Sequence, residues 1–296
     1  MNRRNSWSIV LACAVLAATL TTSSLAEAAK FRILIGNDDG VGAEGIAALV
    51  EELTTDSSLD VVVYAPATNQ SGTGDRITSG ALKVDPATTA DGYPAFSVAG
   101  YPADGILFGI LQGLSQKPDL VITGINEGQN IGDLVSISGT VGAALAAVRL
   151  GIPAFAVSQG LGPDISYEAS AKYTHKLVNT YRSSATFRSR LKGGPGRAKI
   201  LNINFPTCAT GSLRGVRAVV LGRSQTVVGY EQGTSSDIWN PVIERTGLGS
   251  TNCVSTLRNP VTDLEAMNNG FASVTPLNSD LTNDALIQPI VRFVQE

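Results

Sequence analysis

Two adjacent aspartates, Asp38 and Asp39, lie in the sequence Gly36-Asn37-Asp38-Asp39-Gly40, directly after the apolar run Phe31–Ile35. Neighbouring carboxylates repel each other, so the pair is costly to hold together unless a cation offsets the repulsion. A divalent cation does this, and carboxylate oxygens are ligands that Mg²⁺, Mn²⁺ and Ca²⁺ prefer. The alternative is a turn that caps the following helix, because Asn and Asp favour helix N-caps. This loop alone leaves both interpretations open.

Two further polar loops follow predicted strands. Asn69-Gln70-Ser71-Gly72 comes after the β-branched run Val61–Ala65, and taken by itself it is a polar turn. The third loop, which follows the run Leu120–Thr123, is Gly124-Ile125-Asn126-Glu127-Gly128-Gln129-Asn130-Ile131-Gly132. It supplies amide oxygens, and its glycines allow close approach of the backbone. In an open parallel sheet, ligands bind beyond the carboxyl ends of the strands, so we expect these loops at one edge.

Ser138-Gly139-Thr140 stands at the start of a predicted helix, Gly139–Leu150. Hydroxyl groups and free N–H groups at a helix N-terminus form a site that binds phosphate. Simple capping by Ser or Thr is the alternative for this segment alone. Carboxylates, a hydroxyl and amides beside such a terminus suit a metal-assisted phosphomonoesterase. The sequence contains no G-x-S-x-G motif, Walker A motif or cysteine nucleophile that would favour another chemistry.

The composition excludes several other classes of protein. The 296 residues include 22 Lys and Arg, 25 Asp and Glu and a single histidine, His175, with a formal net charge of -3. One histidine cannot build a histidine-rich zinc site or the two-histidine helix of a metalloprotease, so any metal must use oxygen ligands. The acidic balance argues against binding of duplex nucleic acid. His175 lies in a helical stretch and is expected at the surface, not as a catalytic acid.

Gly40-Val41-Gly42-Ala43-Glu44-Gly45 matches G-x-G-x-x-G, the dinucleotide-binding fingerprint. Three features oppose that function. Asn37-Asp38-Asp39 separates the first glycine from the strand, and two carboxylates occupy the place that a pyrophosphate must approach. The second strand ends at Pro66 without an acid for a ribose hydroxyl. We therefore do not expect dinucleotide binding.

The elements that must position these loops alternate along the chain. Strands are predicted as continuous apolar runs, which indicates that both of their faces are covered. They are Phe31–Ile35, Val61–Ala65, Leu120–Thr123, Ala154–Ser158 and Ile200–Phe205. Helices are predicted at Gly45–Leu53, Ala103–Leu114, Gly139–Leu150 and Glu168–Ser184. The pattern predicts an α/β fold with a doubly wound, mainly parallel sheet.

The C-terminal third of the chain has a different amino-acid composition and does not continue the alternation of strands and helices. Arg217–Leu221 and Gln225–Tyr230 are predicted as the strands of a hairpin, and a stretch rich in Gly, Ser and Asn follows. Residues 206–262 are therefore predicted to form a protruding β-hairpin arm. Asn283–Val294 is predicted to be a closing helix.

Residues 1–28 are predicted to be a signal peptide, with Arg3 and Arg4 before the apolar run Ile9–Leu20. An uncleaved anchor is the alternative, but a membrane span needs about 20 apolar residues and this run is shorter. Residues 29–296 are predicted to form a single exported domain, periplasmic or extracellular, with no membrane attachment after cleavage. Export favours a structural disulfide between Cys208 and Cys253.

These motifs resemble those of the SurE family, the survival protein family of metal-dependent 5′-nucleotidases and acid phosphatases. The matching stretches are Asn37-Asp38-Asp39-Gly40, Asn69-Gln70-Ser71-Gly72, Gly124-Ile125-Asn126 continuing to Asn130 and Gly132, Ser138-Gly139-Thr140-Val141 and Ser273-Val274-Thr275-Pro276-Leu277. The resemblance spans residues 31–282. It implies a Rossmann-like fold, hydrolysis of nucleoside 5′-monophosphates, and a homodimer or homotetramer in which the C-terminal arm is exchanged between subunits.

The resemblance also implies roles for individual residues. The divalent-metal ligands would be Asp38, Asp39, Ser71 and Asn126, with Mg²⁺ or Mn²⁺ as the ion and Ca²⁺ also able to bind. The substrate contacts would be Asn37, Asn130, Ser138, Gly139 and Thr140. The metal would activate a water for in-line attack on phosphorus, with Asp38 as the candidate catalytic base. The alternative from another class is an exported protein that binds a nucleotide or phosphate ligand without turnover.

The chain departs from the family pattern in two places. Gly100-Tyr101-Pro102-Ala103-Asp104-Gly105 stands where the family has Gly-Thr-Pro-Thr-Asp-Cys. Asp104 is kept while its neighbours differ, so the base specificity need not be that of the family. Family members are usually cytosolic, whereas this chain carries a predicted export signal.

Overall fold

The structure is a computed structural model that describes residues 30–193, 197–223, 226–244 and 251–279. The predicted signal peptide and the predicted helix Asn283–Val294 lie outside the described residues. Within these ranges, no helix is long and apolar enough to span a membrane.

Strands and helices alternate through most of the described chain. The strands are β1 (Phe31–Gly36), β2 (Leu59–Pro66), β3 (Val84–Thr88), β4 (Pro94–Val98), β5 (Leu120–Glu127), β6 (Ala154–Gln159), β7 (Lys199–Phe205), β8 (Val216–Ala218), β9 (Thr226–Gln232), β10 (Trp239–Glu244) and β11 (Ala272–Asn278). The helices are α1 (Glu44–Thr54), α2 (Pro102–Phe108), α3 (Gly139–Arg149), α4 (Glu168–Ser183), α5 (Ala185–Leu191) and α6 (Asp263–Asn268). A π-helical turn, Gly109–Gly113, extends α2, and a 3₁₀ turn, Gly132–Ser136, precedes α3.

The main sheet has nine strands in the order β3-β4-β2-β1-β5-β6-β7-β11-β8. The central strands from β4 to β7 run parallel to one another. β3 pairs antiparallel with β4 at one side, and β11 pairs antiparallel with β7 at the other. The chain runs outward from β1 through β2 in one direction and from β5 through β6 in the other. The strand order therefore reverses between β1 and β5, and ligands of open α/β sheets bind at such a point.

Helices cover both faces of this sheet. On one face, Ile46, Leu49 and Leu53 of α1 and Tyr181 of α4 belong to one hydrophobic core. On the other, Ile106 of α2 and the small residues of α3 belong to a second core. The strands between them are buried along almost their whole length, because neither face meets water. The predicted doubly wound α/β fold is confirmed.

Small residues let α3 lie close to the turn that follows β2. A Cβ atom on Gly142 would stand 2.0 Å from the carbonyl oxygen of Gly74, so no larger residue fits there. Ala143, Ala144 and Ala147 are buried against the sheet on the same helix. The predicted small-residue helix is thus a core helix that brings its N-terminus to the carboxyl edge of the sheet.

The predicted hairpin exists and the predicted strand Gln225–Tyr230 corresponds to β9, but its predicted pairing with Arg217–Leu221 was wrong. Thr226–Gln232 pairs antiparallel with Trp239–Glu244 in a separate two-stranded sheet. The segment predicted as the first hairpin strand, Arg217–Leu221, instead contributes to β8, which pairs parallel with β11 at the edge of the main sheet. The composition of a segment can predict a strand, but it does not indicate whether the neighbouring strand in the sheet comes next in the chain or more than 50 residues later. Among the described residues of the predicted arm, 226–244 form a two-stranded sheet of their own.

Several elements carry no clear signal in the sequence. β3 and β4 extend the sheet beyond β2, although Pro86 and Pro94 within them argue against strands. Both are tolerated because β3 is an edge strand and Pro94 is the first residue of β4. The helices α5 and α6 are short and were not predicted either.

The predicted disulfide is confirmed. Cys208, after β7, is bonded to Cys253, before α6, with their Cα atoms 5.8 Å apart. The crosslink encloses the hairpin, since the two cysteines are separated by 45 positions that include β9 and β10. It therefore links the segment that follows β7 to the segment that precedes α6.

Candidate active site

The loop after β1 is shaped by the side chain of Asn37, which is fully buried. Its Nδ2 donates to the carbonyl oxygen of Gly40 at 2.7 Å, and its Oδ1 accepts from the N–H of Gly40 at 3.2 Å. Both ends of the amide are therefore used inside the loop. In this structure Asn37 holds the two aspartates in place, and its predicted contact with substrate stays a prediction.

Asp38 lies at the centre of the site and is almost fully buried. Its Oδ1 accepts a hydrogen bond of 2.6 Å from the hydroxyl of Thr140, the second residue of α3. The N–H of Gln70 donates to the carbonyl oxygen of Asp38 at 2.7 Å, which ties the loop after β2 to the loop after β1. A Cβ on Gly139 would stand 2.7 Å from the Cβ of Asp38, so only glycine permits this approach of α3.

Asp39 points toward a different neighbour. Its Oδ2 accepts from the N–H of Glu127 at 2.9 Å, and its Oδ1 accepts from Nδ2 of Asn69 at 3.3 Å. The carboxylate thus connects the loop after β2 to the loop after β5. Asp38 and Asp39 together join all three loops that the sequence singled out.

Burial disfavours the charged form of both carboxyl groups. It is the largest cause that raises the pKa of Asp38, which the hydrogen bond from Thr140 partly opposes. It likewise raises the pKa of Asp39 to about 6, and repulsion from Asp38 and Glu127 adds to the effect. The pKa of the nearby Tyr167 rises to about 12 through burial and the charges of Glu127, Asp39 and Glu44. In the metal-free protein both carboxyl groups therefore bind a proton more tightly than an ordinary aspartate does.

No cationic side chain in the described ranges forms an ion pair with Asp38 or Asp39. Nor do the described residues contain a cluster of three or more His, Cys, Asp and Glu side chains that could hold a metal. The available donors are two carboxylates, a hydroxyl and an amide oxygen. Hard divalent cations such as Mg²⁺ and Mn²⁺ take such oxygen ligands together with water, so the donor set fits the ion that the sequence implies.

The predicted metal ligands Ser71 and Asn126 meet Asp38 at a small cavity of about 170 Å³, which we call the catalytic cavity. Asn126 is buried and its Nδ2 donates to the carbonyl oxygen of Gly128 at 2.5 Å. Its Oδ1 is therefore the atom that can face a cation. Of the predicted site residues, those that line the cavity are Asp38, Ser71, Asn126, Asn130 and Ser138. Asn37, Asp39, Gly139 and Thr140 adjoin these residues without lining it.

The N-terminus of α3 faces the same cavity. Ser138 is the N-cap, and its hydroxyl accepts from the N–H of Val141 at 3.1 Å. Ser138 therefore caps the helix, which was the alternative for this segment alone, and its predicted contact with phosphate stays a prediction. The partial positive charge of that terminus favours a phosphate at this position.

Asn130 is positioned by residues that the sequence analysis missed. Its Nδ2 donates to Oγ1 of Thr140 at 3.1 Å and to Oγ of Ser158 at 2.9 Å. Its backbone is held by two fully buried asparagines of β7, since Asn204 accepts from its N–H at 2.7 Å and Asn202 donates to its carbonyl oxygen at 2.8 Å. Polar residues at alternate positions of the apolar run Ile200–Phe205 are the signal that could have identified them.

His175 lies away from these loops, as the sequence predicted. Its Nδ1 is 2.8 Å from Oε1 of Glu52, and its Nε2 is 3.9 Å from Oδ2 of Asp56. Arg182 also contacts Asp56, at 2.9 Å. The histidine joins α4 to α1 and is only 15% exposed, so it is more buried than a surface residue.

The model of the family described as survival protein SurE matches residues 33–227. The chain belongs to the SurE family. The 5′-nucleotidase SurE of Pseudoalteromonas atlantica is 33% identical over 270 residues, which are 89% of this chain and 98% of the relative. The 5′-nucleotidase SurE of Citrifermentans bemidjiense is 38% identical over 260 residues, 87% of this chain and 96% of the relative. The 5′/3′-nucleotidase SurE of Cronobacter sakazakii is 33% identical over 271 residues.

A solved structure of the family has the same fold. The crystal structure of SurE protein from Aquifex aeolicus is 31% identical in sequence and superposes with a TM-score of 0.70. The match covers 88% of this chain and 98% of that structure. The likeness thus extends over the whole length of the SurE structure, well beyond the motif loops. The Rossmann-like architecture predicted from the sequence resemblance is confirmed.

Proposed function

We propose that this SurE protein is a metal-dependent phosphomonoesterase that hydrolyses nucleoside 5′-monophosphates. The observation that carries the proposal is the meeting of Asp38, Ser71 and Asn126 at one cavity beside the N-terminus of α3. This arrangement supports the proposal, because oxygen ligands that suit a divalent cation lie beside a helix terminus whose partial positive charge favours a phosphate. The chain's nucleotidase relatives match it over almost their whole length, which agrees with this assignment.

The reaction transfers the phosphoryl group from the ester oxygen to water. The water oxygen forms a bond to phosphorus, the ester P–O bond breaks, and the nucleoside oxygen takes a proton as it leaves. When bound, a divalent cation supplies Lewis-acid polarisation of a phosphoryl oxygen and increases the acidity of water. Asp38, Asp39, Ser71 and Asn126 are the residues that would hold it, as the sequence resemblance implied.

The protein's own groups orient and stabilise the phosphate. Ser138 caps α3 by accepting from the N–H of Val141, and the partial positive charge of this helix terminus would stabilise the equatorial phosphoryl oxygens. Asn130 lines the cavity with its backbone locked by β7, so its approach to substrate is fixed before binding. Asp38 is the candidate base for the attacking water, and its raised pKa brings its proton affinity closer to neutral pH.

The test is hydrolysis of 5′-AMP by the purified protein, followed as phosphate release with added Mn²⁺ or Mg²⁺. We expect turnover that EDTA abolishes and that the same ions restore. Asp38→Asn should lose nearly all activity in saturating metal, whereas the exposed control Asp237→Asn on the hairpin should keep it. Full activity of Asp38→Asn would show that Asp38 is neither base nor essential ligand.

The same assay separates enzyme from binding protein. A protein that only binds would retain 5′-AMP in equilibrium dialysis and release no phosphate under any of these conditions. That alternative is not favoured, because the relatives that match the chain are named for an enzymatic activity.

We further propose that the protein is exported. The disulfide between Cys208 and Cys253 supports this, because such bonds persist in oxidising compartments and are rare in the cytosol. Cell fractionation followed by N-terminal sequencing of the mature protein tests the proposal. Cleavage near residue 28 and recovery from the periplasm or medium are expected, and a full-length cytosolic product would contradict it.

The hairpin formed by β9 and β10 is proposed as the contact that builds a homodimer or homotetramer. Tyr230, Ile238 and Trp239 are exposed on it by 64%, 46% and 57%. Large apolar side chains presented together in this way mark interaction surfaces. Light scattering of the wild type and of Trp239→Ser should show a loss of assembly in the variant. An unchanged mass for the variant, or a wild-type monomer, would overturn the assignment.

A further inference from the structure

A second cavity lies next to the catalytic cavity. It has a volume of about 610 Å³ and lies between the loop after β2, residues 76–79 and the loop after β4. We call it the Tyr101 cavity. The loop after β2 borders both cavities, since Ser71 and Gly72 line the catalytic cavity while Thr68 and Gln70 line the Tyr101 cavity.

The walls of the Tyr101 cavity are held together by a buried carboxylate. Oδ2 of Asp104 accepts from the hydroxyl of Thr78 at 2.6 Å and from the N–H of Tyr101 at 2.8 Å. Its Oδ1 also accepts from the N–H of Thr78 at 3.1 Å. Thr78 and Tyr101 lie on different walls, so Asp104 fixes their separation. The cavity is therefore preformed, as small-molecule sites usually are.

Arg76 and Tyr101, which lie on these two walls, together offer a cationic and aromatic surface. The guanidinium carbon of Arg76 lies 4.7 Å from the centre of the Tyr101 ring, and both residues line the cavity. Arg76 takes part in none of the ion pairs between described residues, whereas its neighbour Asp75 is paired with Arg149. Arginine and tyrosine side chains both stack on planar heterocycles. Tyr101 also stands where the family pattern has threonine, so the aromatic side chain at this position is a departure of this chain from the family.

The sizes of the two cavities complement each other. The catalytic cavity has a volume of about 170 Å³. This suits a phosphoryl group with its cation, but it leaves no room for the nucleoside in the same cavity. The remainder of a nucleotide must leave it, and the Tyr101 cavity begins across the same loop. We propose that the Tyr101 cavity binds the nucleobase of the substrate, with Arg76 and Tyr101 as specificity-determining residues and Asp104 as a positioning residue. This inference rests on the proposed function.

The experiment compares two substrates that differ only in the base. 5′-AMP and ribose 5-phosphate are hydrolysed by the wild type, Arg76→Ala, Tyr101→Ala and Tyr101→Phe, with saturating Mn²⁺. The control is Leu111→Ala, an exposed apolar residue that lines neither cavity. We expect Arg76→Ala and Tyr101→Ala to raise KM for 5′-AMP about tenfold through lost stacking. The KM for ribose 5-phosphate should not change, and Tyr101→Phe should behave as the wild type.

The remaining outcomes divide clearly between the two proposals. If the alanine variants raise KM equally for both substrates, the base does not bind in the Tyr101 cavity. The same holds if the wild type has the same KM for both substrates. If KM for 5′-AMP is unchanged in both alanine variants, the same conclusion follows. If the wild type hydrolyses neither compound with any divalent cation, the proposed function is wrong and this inference falls with it.

Discussion

The hydroxyl of Thr140 donates a hydrogen bond of 2.6 Å to Oδ1 of Asp38, although the two residues are 102 positions apart in the chain. Both side chains are buried, and the same hydroxyl accepts from Nδ2 of Asn130 at 3.1 Å. One oxygen atom therefore connects the aspartate loop, the start of α3 and the loop after β5. The sequence predicted Thr140 as a substrate contact, and in this structure the residue orients two other members of the site.

Replacing Thr140 with valine keeps the shape of the side chain and removes this hydrogen bond. We expect kcat/KM for 5′-AMP to fall about 10- to 100-fold, as is common when the partner of a metal ligand is lost. Unfolding in urea should show a loss of about 1–3 kcal/mol, because a buried acceptor loses its donor. Thr174→Val is the matched control, since Thr174 is equally buried in α4 and away from the site. Activity of Thr140→Val within about twofold of the control would refute the orienting role.

The raised pKa of Asp39 makes the stability of the metal-free protein depend on pH. The pKa is about 6 in the folded protein and 3.8 in the reference state, so the folded state holds the extra proton between these values. The stabilisation from that proton is complete below pH 3.8 and is lost as the pH rises through 6. In EDTA, the melting temperature of Asp39→Asn should therefore rise relative to that of the wild type as the pH increases from 4 to 7. A constant difference across this range would contradict the assignment.

Asp263 joins Gly222, which precedes the hairpin, to residues 128–132, which contain the candidate substrate contact Asn130 and which we call the substrate loop. This fully buried carboxylate accepts from the N–H of Gly132 at 2.8 Å and from the N–H of Gly222 at 2.7 Å. Asp263→Asn replaces one acceptor oxygen with an NH₂ group, so one of these N–H groups loses its partner. We expect a loss of stability of about 1–3 kcal/mol. We also expect kcat/KM to fall about tenfold, because Asn130 lies two residues from the released Gly132.

The exposed Asp237 offers the control for this substitution. Asp237→Asn should leave both the midpoint of urea unfolding and kcat/KM unchanged. Equal behaviour of the two variants would show that Asp263 does not connect the hairpin to the active site.

The disulfide should stabilise the fold without contributing to catalysis. Closing a chain segment of this length restricts the unfolded state by about 3–4 kcal/mol. Cys208→Ala with Cys253→Ala should therefore unfold at lower urea, while kcat at 25 °C stays close to that of the wild type, because neither cysteine lines the catalytic cavity. Wild type unfolded in dithiothreitol is the control and should match the double variant. Equal stability of oxidised wild type and the variant would show that the crosslink is dispensable.

The parts of the fold that the sequence predicted are those with a local signal. The continuous apolar runs predicted β1, β2, β5, β6 and β7, because a strand covered on both faces is apolar at most of its positions. The edge strand β3 and its neighbour β4 were missed, since both contain a proline and exposed residues. The hairpin was placed too early in the chain because residues 217–221 have strand composition and their partner, β11, is more than 50 residues away.

In the active site, too, local features could be predicted and long-range contacts could not. The sequence by itself determined which candidate donors are present: two consecutive aspartates, a serine and an asparagine at strand ends, and a capped helix terminus, in a chain with one histidine. Each of these is a local property of residue type and spacing. Tertiary structure alone decided which donors share a cavity, and that buried Asn202, Asn204 and Asp263 hold the substrate loop. Such contacts join residues 72 to 131 positions apart, and they exist only once the strands have paired.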